Sequence, residues 1–474
     1  MPGCRTGVVA AILVAVAAAG ETAAQPFSLP DEAGVEPAAE RLAWETPQDR
    51  TTPLRRLGLP ALEDRGFETF GWIETGIGAN QWGSTFNGPI TFNDRNWQGQ
   101  LNQLYTVVER RTDAAAGRHW GGRADLLFGT DFFYTTARGL DASSIQRHGI
   151  ENVATWDVTK DYGFALPQLY GEVAAGDWSL RFGHFYALVG FESVPAVANF
   201  FYTHSYSMQN EPFTYTGFQA SWQATDGVTL YGGLHDGWNN FSDPQPMLGG
   251  WSIRNPDYPG AGSTAAFFGG VLFASDDESQ TLFITTTTGN EVTVLGTTPA
   301  AGTLVGNRSL ISTVYTNRLT RRLTYVFQND NAWQFQSATQ PGNIGQPAGL
   351  AQWYSFNQYL LWRFNDRWLG GMRLEYFRDN NGYTVTAPLR NEAQASNPGF
   401  YRAGFAGNFW ELTLGLNYQP SRDWMIRPEL RYDWFTPNAA STPRPFGRGI
   451  GEGIGTAGNR LDQLYAGCDV IFQY

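Results

Sequence analysis

Asn408-Phe409-Trp410-Glu411-Leu412-Thr413-Leu414-Gly415-Leu416-Asn417-Tyr418, then the turn Gln419 to Asp423, then Trp424-Met425-Ile426-Arg427-Pro428-Glu429-Leu430-Arg431-Tyr432-Asp433-Trp434-Phe435 is the stretch that decides the fold. One parity of the first run carries Trp410, Leu412, Leu414, Leu416 and Tyr418, and the other carries Glu411, Thr413, Gly415 and Asn417. In the second run Trp424, Ile426, Pro428, Leu430, Tyr432 and Trp434 alternate with Met425, Arg427, Glu429, Arg431 and Asp433. A period of 2 belongs to a pleated strand whose side chains point to opposite faces, so the stretch predicts an antiparallel hairpin with one oily and one charged face. A soluble sandwich hides its apolar face against a second sheet. Here aromatics stand at the strand ends with aliphatics between them, the layout of a lipid-facing strand with interfacial girdles. Ten residues at about 3.3 Å each, tilted near 45°, cross roughly 23 Å, close to the outer-membrane hydrocarbon thickness.

Composition agrees. The 474 residues include 55 Gly, are 15% aromatic and only 16% charged, and carry 32 Lys+Arg against 44 Asp+Glu, a net charge of -12 that excludes a basic nucleic-acid binder. A mean hydropathy of -0.32 is compatible with a membrane, because in a barrel only alternate residues meet lipid. The N-terminus reads as a secretory signal over 1–24: Arg5, the apolar run Val8 to Ala19, and the small residues Thr22-Ala23-Ala24. With Cys4 upstream of the apolar run, only Cys468 follows it, so no intrachain disulfide is expected. No later apolar run reaches about 18 residues, which excludes helical spans and leaves a closed barrel or a secreted β protein.

Residues 25–66 are rich in proline and charge and predict an extended periplasmic arm, with a pore plug as the alternative. From Phe67 to Tyr474 sixteen candidate strands follow, among them Thr264 to Ala274, Gln280 to Thr288, Arg308 to Arg318, Arg322 to Asn331 and Trp353 to Phe364. Short joins such as Gly176 to Asp177 and Asn365 to Asp366 alternate strictly with long ones such as Asp131 to Ala165 and Ala187 to Phe213. That alternation, with both termini on the short-join side, predicts an all-β, up-and-down antiparallel transmembrane barrel of sixteen strands over 67–474. In the last strand Leu464, Ala466, Val470, Phe472 and Tyr474 share the outward parity, so the chain ends on an aromatic of the kind the outer-membrane assembly machinery reads.

Four ordered stretches carry a family resemblance: Phe200 to Tyr206 with Glu211-Pro212-Phe213-Thr214 and Gly217; Thr288-Gly289-Asn290-Glu291; Leu369 to Asp379; and Arg427 to Trp434. Through them the chain resembles the OmpL-like family of β-barrel porins. The resemblance implies an outer-membrane porin and brings no settled substrate and no catalytic residues.

With parity fixed by the lipid face, the inward charged candidates are Arg123, Asp125, Glu172, Arg373, Glu375, Glu411, Arg427, Glu429, Arg431 and Asp433. Both signs are present, so they either line the pore and impose a transverse field on permeating solutes or form a satisfied ladder that braces the wall. The acidic excess points weakly to cations. For the constriction the aromatic loop Ala187 to Phe213 is the candidate, with Phe191, Phe200, Phe201, Tyr202, His204 and Tyr206; it either folds into the lumen or packs on the rim. His119, His148, His184, His204 and His235 show no metal-ligand spacing, and His204-Ser205 beside Asn210 matches a hydrolase only in residue types. Neither cofactor, metal nor catalytic residue is expected. Sixteen strands leave an aqueous lumen, so the expected function is passive diffusion of small hydrophilic solutes or ions. The alternative is a binding or adhesion protein with an occluded lumen. Expected partners are membrane lipid and lipopolysaccharide, the barrel-assembly machinery through the last strand, and further copies in a homotrimer.

Overall fold

The computed structural model describes residue 62 and residues 64–474 apart from 113–116, 138–139, 142–160, 242–265, 278, 295–302, 338–348, 387–403, 441 and 451–456. The expected signal, nearly all of the 25–66 arm and the body of the Asp131 to Ala165 loop lie outside the described residues.

Sixteen antiparallel strands close into one barrel. They are β1 (Glu68–Asn80), β2 (Gln100–Arg110), β3 (Trp120–Gly129), β4 (Gly163–Ala175), β5 (Trp178–Tyr186), β6 (Thr214–Thr225), β7 (Val228–His235), β8 (Ala266–Ala274), β9 (Gln280–Val294), β10 (Thr303–Arg318), β11 (Leu323–Ser337), β12 (Gly349–Arg363), β13 (Trp368–Asp379), β14 (Gly407–Ser421), β15 (Trp424–Pro437) and β16 (Asp462–Gln473). Each strand pairs with its neighbours in sequence, and β1 closes the ring on β16 from Trp72↔Gln473 to Asn80↔Tyr465. No backbone edge is left in lipid, which is what makes strands tolerable there.

The deciding hairpin forms as its alternation requires. Leu414 and Leu430 face outward at 51% and 46% exposure, while Arg373, Glu411, Arg431 and Asp433 are completely covered inside. Outward aromatics form two belts: Trp178 stacks on Trp222 and Trp368 on Tyr418 at the short-turn end, and Trp410 stacks on Trp434 with Tyr376 tilted against it at the other. On β14 the belts are eight residues apart, Trp410 to Tyr418, or about 19 Å along the membrane normal at 45° tilt. Tyr474 lies outward across Gly71, where a Cβ would meet its ring at 2.6 Å, and its hydroxyl reaches Thr106 Oγ1 at 2.8 Å. The terminal aromatic thus covers the seam where β16, β1 and β2 meet.

Several strands run longer than the alternation predicts: β9 runs on to Val294, β10 begins at Thr303, β11 extends to Ser337, and β12 begins at Gly349, whereas β7, expected to reach Trp238, ends at His235. Beyond the membrane the oily parity stops while the backbone ladder continues, so alternation ends before the strand does.

Candidate functional site: the inward loop and its charged seat

The connection from β5 to β6, residues 187–213, folds into the barrel. Its six aromatic and histidine candidates, Phe191, Phe200, Phe201, Tyr202, His204 and Tyr206, are all buried. Such a loop carries unpaired backbone groups into a confined space, and each one left unsatisfied is costly. The wall's charged side chains satisfy them.

On β15 the alternation of sign matches the alternation of loop donors and acceptors. Arg427 Nη1 donates to the carbonyls of Ala196 and Asn199 at 3.0 and 2.7 Å. Glu429 accepts from the Tyr202 and Thr203 amides at 2.9 and 3.1 Å. Arg431 Nη1 donates to the His204 carbonyl at 2.6 Å, and Asp433 accepts from the Tyr206 hydroxyl at 2.8 Å. On β13, Arg373 Nη1 donates to the Thr203 carbonyl at 2.7 Å, and Glu375 accepts from the Tyr206 and Ser207 amides at 2.6 and 2.8 Å. The loop lies across β13 and β15 as an extra segment whose hydrogen bonds are made by side chains.

The seat is also paired within itself, as buried charges must be. Arg373 joins Glu411 at 2.8 Å and the loop's own Glu192 at 2.6 Å. Arg427 is bidentate on Asp469 of β16 and reaches Glu74 of β1 at 3.1 Å. Arg431 forks onto Asp433. Burial pushes the Glu192 carboxyl up, but the Arg373 guanidinium and the His204 ring overcome it and hold the group well below the usual carboxylate range. Burial also lowers His204, against the pull of Glu192, so its ring is neutral and Nδ1 donates to Glu192 Oε2 at 3.3 Å. Ser205 caps the single helical turn Tyr206–Gln209 by accepting from the Met208 amide, with its own amide on Glu192. His204 and Ser205 are thereby committed to loop architecture.

A second anchorage holds the start of the loop on the opposite flank. The Gly190 amide donates to Ser312 of β10 at 3.3 Å, and the Phe191 amide to Gln328 of β11 at 2.9 Å. Gln328 Nε2 then donates to both Glu211 and Asp330, each at 2.6 Å. Gln103 of β2 holds the middle, donating to the Val194 carbonyl and accepting from the Ala196 amide. The loop therefore spans the lumen from β10 and β11 to β1 and β2.

Close approach is allowed by glycines that face inward. A Cβ at Gly371 of β13 would meet Phe200 at 2.3 Å, and one at Gly415 of β14 would meet Phe201 at 2.9 Å. Strand glycine where another chain segment approaches is the general pattern. Gly371→Val is expected to leave the barrel closed while lifting Phe200, at a cost of about 1–3 kcal/mol. Heat-modified gel mobility against temperature measures that loss, and an unshifted midpoint refutes the close packing.

The remaining inward candidates lie apart from this seat. Arg123 forks onto Asp125, which also accepts from the Tyr105 hydroxyl and Gln168. Glu172 pairs with Arg181 at 3.0 Å. Sequence reasoning missed Glu74, Gln103, Glu192, Glu211, Gln328, Asp330 and Asp469. The inner parity of β1 and β16 would have shown Glu74 and Asp469. Glu192 and Glu211 carry a weaker signal, acids inside an aromatic loop.

No curated protein matches the chain. The family model described as "Putative beta-barrel porin-2, OmpL-like" matches residues 66–474. Among solved structures, the outer membrane channel DcaP of Acinetobacter baumannii aligns with a TM-score of 0.51 at 9% identity, over 86% of this chain and 98% of that one. Pseudomonas putida OprB at high pH aligns at 0.50 and 12% identity, over 89% and 97%. At such identities these two likenesses speak for the fold, and the family match speaks for kinship. The chain belongs to the OmpL-like β-barrel porin family, as an outer-membrane porin channel with an inward loop seated on its charged wall.

Proposed function

We propose that this porin passes small hydrophilic solutes or ions by passive diffusion with a weak preference for cations. The observation that carries this reading is the inward loop. Held at both flanks by side chain to backbone hydrogen bonds, it narrows the lumen without lying in the strand ladder, so it sets the size limit. Carboxylates outnumber guanidiniums among the buried charges of the inner wall and loop, which favours a positive permeant. Of the inward candidates, the seat residues Arg373, Glu375, Glu411, Arg427, Glu429, Arg431 and Asp433 act on permeation through the loop they hold. Arg123, Asp125 and Glu172 brace a stretch of wall apart from the loop seat, through the Arg123–Asp125 and Glu172–Arg181 pairs.

The test is conductance of the refolded chain from Gln25 onward in a planar bilayer under a salt gradient. Steady steps with a reversal potential of the sign set by cation flow are expected. A reversal potential of the opposite sign overturns the preference. A heat-modifiable barrel that inserts and never conducts overturns the channel and leaves the extracellular loops as the working part.

A further inference from the structure

We propose that the connection from β1 to β2, residues 81–99, is a second inward segment of the constriction. Phe92 at its tip is then a specificity-determining residue that sets the size limit together with loop 187–213, a role that rests on passive diffusion through this porin. Residues 81–99 join their strands on the same side of the barrel as 187–213, and Phe86, Ile90, Phe92 and Asn93 along them are buried. A connection standing in water would leave such side chains exposed. The segment is braced on Asn87, whose Nδ2 donates to the Asn93 and Arg95 carbonyls at 2.7 and 3.0 Å and whose Oδ1 accepts from Asn80 of β1 at 2.8 Å. Gln463 of β16 ties it to the wall by donating to the Asn87 carbonyl at 3.0 Å.

The tip meets the other loop at Gln209. Its Oε1 accepts from the Thr91 amide at 2.8 Å and its Nε2 donates to the Ser205 carbonyl at 2.9 Å, so one carboxamide joins the two connections. Next to it the Phe92 ring lies 4.6 Å from the His204 ring and 6.1 Å from that of Phe213, both on loop 187–213, and 5.1 Å from Tyr134 of the β3 to β4 connection. Three connections thus converge on one side chain that is 1% exposed. The backbone presenting it is strained. Phe92 has a φ of 65°, and the Asn93 amide donates to the Thr91 carbonyl at 2.7 Å, which is the form of γ-turn that a bulky residue rarely adopts. The same turn leaves the Asn93 carboxamide covered, beside the Tyr202 hydroxyl and without a hydrogen bond of ordinary length. Both features cost stability, and a connection that served packing alone would gain by losing them. Strain of this kind collects at clamps and switch points. Here it holds a phenyl ring in the gap between loop 187–213 and the connections that leave β1 and β3.

Solute size reads the role directly. Phe92→Gly removes the ring and relieves the turn, because glycine takes a positive φ without steric cost. The variant is expected to form the same heat-modifiable barrel and, in liposome swelling, to admit sugars at least one hexose unit larger than the parent does. Phe92→Leu, which keeps most of the bulk, is expected to stay near the parent limit. A conducting parent and a glycine variant with equal limits overturn the role of Phe92 and leave passive diffusion standing. A parent that neither swells liposomes nor conducts overturns diffusion itself, and the size limit with it. Placement is tested apart from permeation. Thr91→Cys with Gln209→Cys, in the chain from Gln25 onward carrying Cys468→Ser, is treated in the bilayer with a short bismaleimide. Uptake of one reagent per chain with both thiols consumed is expected, and uptake of two overturns the meeting of the two connections.

Discussion

Arg373→Ala is expected to raise the single-channel conductance severalfold and to replace steady steps by flicker. The guanidinium is completely covered and holds three groups at once: Glu411, Glu192 and the Thr203 carbonyl. It also lies 5.0 Å from the Phe201 ring centroid. Alanine takes the guanidinium away from two buried carboxylates, Glu411 of the wall and Glu192 of the loop, and breaking a buried pair in this way costs about 3–5 kcal/mol. At about 1.4 kcal/mol per tenfold, the balance between seated and released loop shifts by roughly a hundredfold or more. The strands lose no backbone hydrogen bond, so the barrel still forms and runs as a folded, heat-modifiable species before heating. Arg373→Lys is expected to fall between the two, because a point ammonium satisfies one carboxylate and lacks the fork that reaches the others. Liposome swelling with sugars of rising size gives the independent readout, with the variant admitting larger sugars than the parent. Equal conductance and an equal sugar limit in parent and alanine variant would show that the loop does not limit the pore.

The contrast between hairpin and seat shows what a sequence discloses. The parity of Trp410 to Tyr418 and Trp424 to Trp434 fixes which side of each strand meets lipid, because that choice depends on local alternation and one solvent. Hence the barrel, its strand number and the inward direction of Arg427, Glu429, Arg431 and Asp433 were all legible. Their partners were not. Glu429 accepts from backbone amides 226 and 227 residues away, and any loop of similar length offers the same N–H groups. The loop's aromatics marked it as unsuited to water, and Gly371 and Gly415 marked a close approach from inside; only the fold brings these signals together. The amides of β11 are a different case. Asn329 and Asn331 break an otherwise apolar parity and so ended the expected strand at Asn331, although the ladder continues to Ser337.

The other anchorage should make the channel sensitive to rising pH. Glu211, on the loop, shares the Gln328 Nε2 donor with Asp330 of β11. Burial, and then the neighbouring Asp330 charge, hold the Glu211 carboxyl well above the ordinary carboxylate range. Ser312 and Ser355 face the same carboxyl pair, Glu192 adds a further negative charge, and Gly190 is close enough that a Cβ there would meet Glu211 Oε2 at 2.2 Å. A proton on Glu211 therefore stabilises the seated loop. The sign follows from a raised pKa: the stabilisation is complete below the ordinary carboxylate range and is lost by about 1.36 kcal/mol, or tenfold, for each pH unit between that range and the raised value. The loop's other titratable groups shift away from this window: against burial, the Arg373 guanidinium and the His204 ring hold Glu192 low, burial lowers His204, and burial raises the Tyr202 and Tyr206 hydroxyls well above their usual value. Conductance is thus expected to climb as pH rises above the ordinary carboxylate range, towards the raised value. Glu211→Gln, which keeps a neutral amide beside Asp330, is expected to abolish the climb and hold the conductance at the parent's low-pH level. A parent profile flat to the alkaline limit of barrel stability, or an equal climb in the glutamine variant, would remove Glu211 as the proton-bearing anchor and leave the charged seat of β13 and β15 as the sole determinant of loop position.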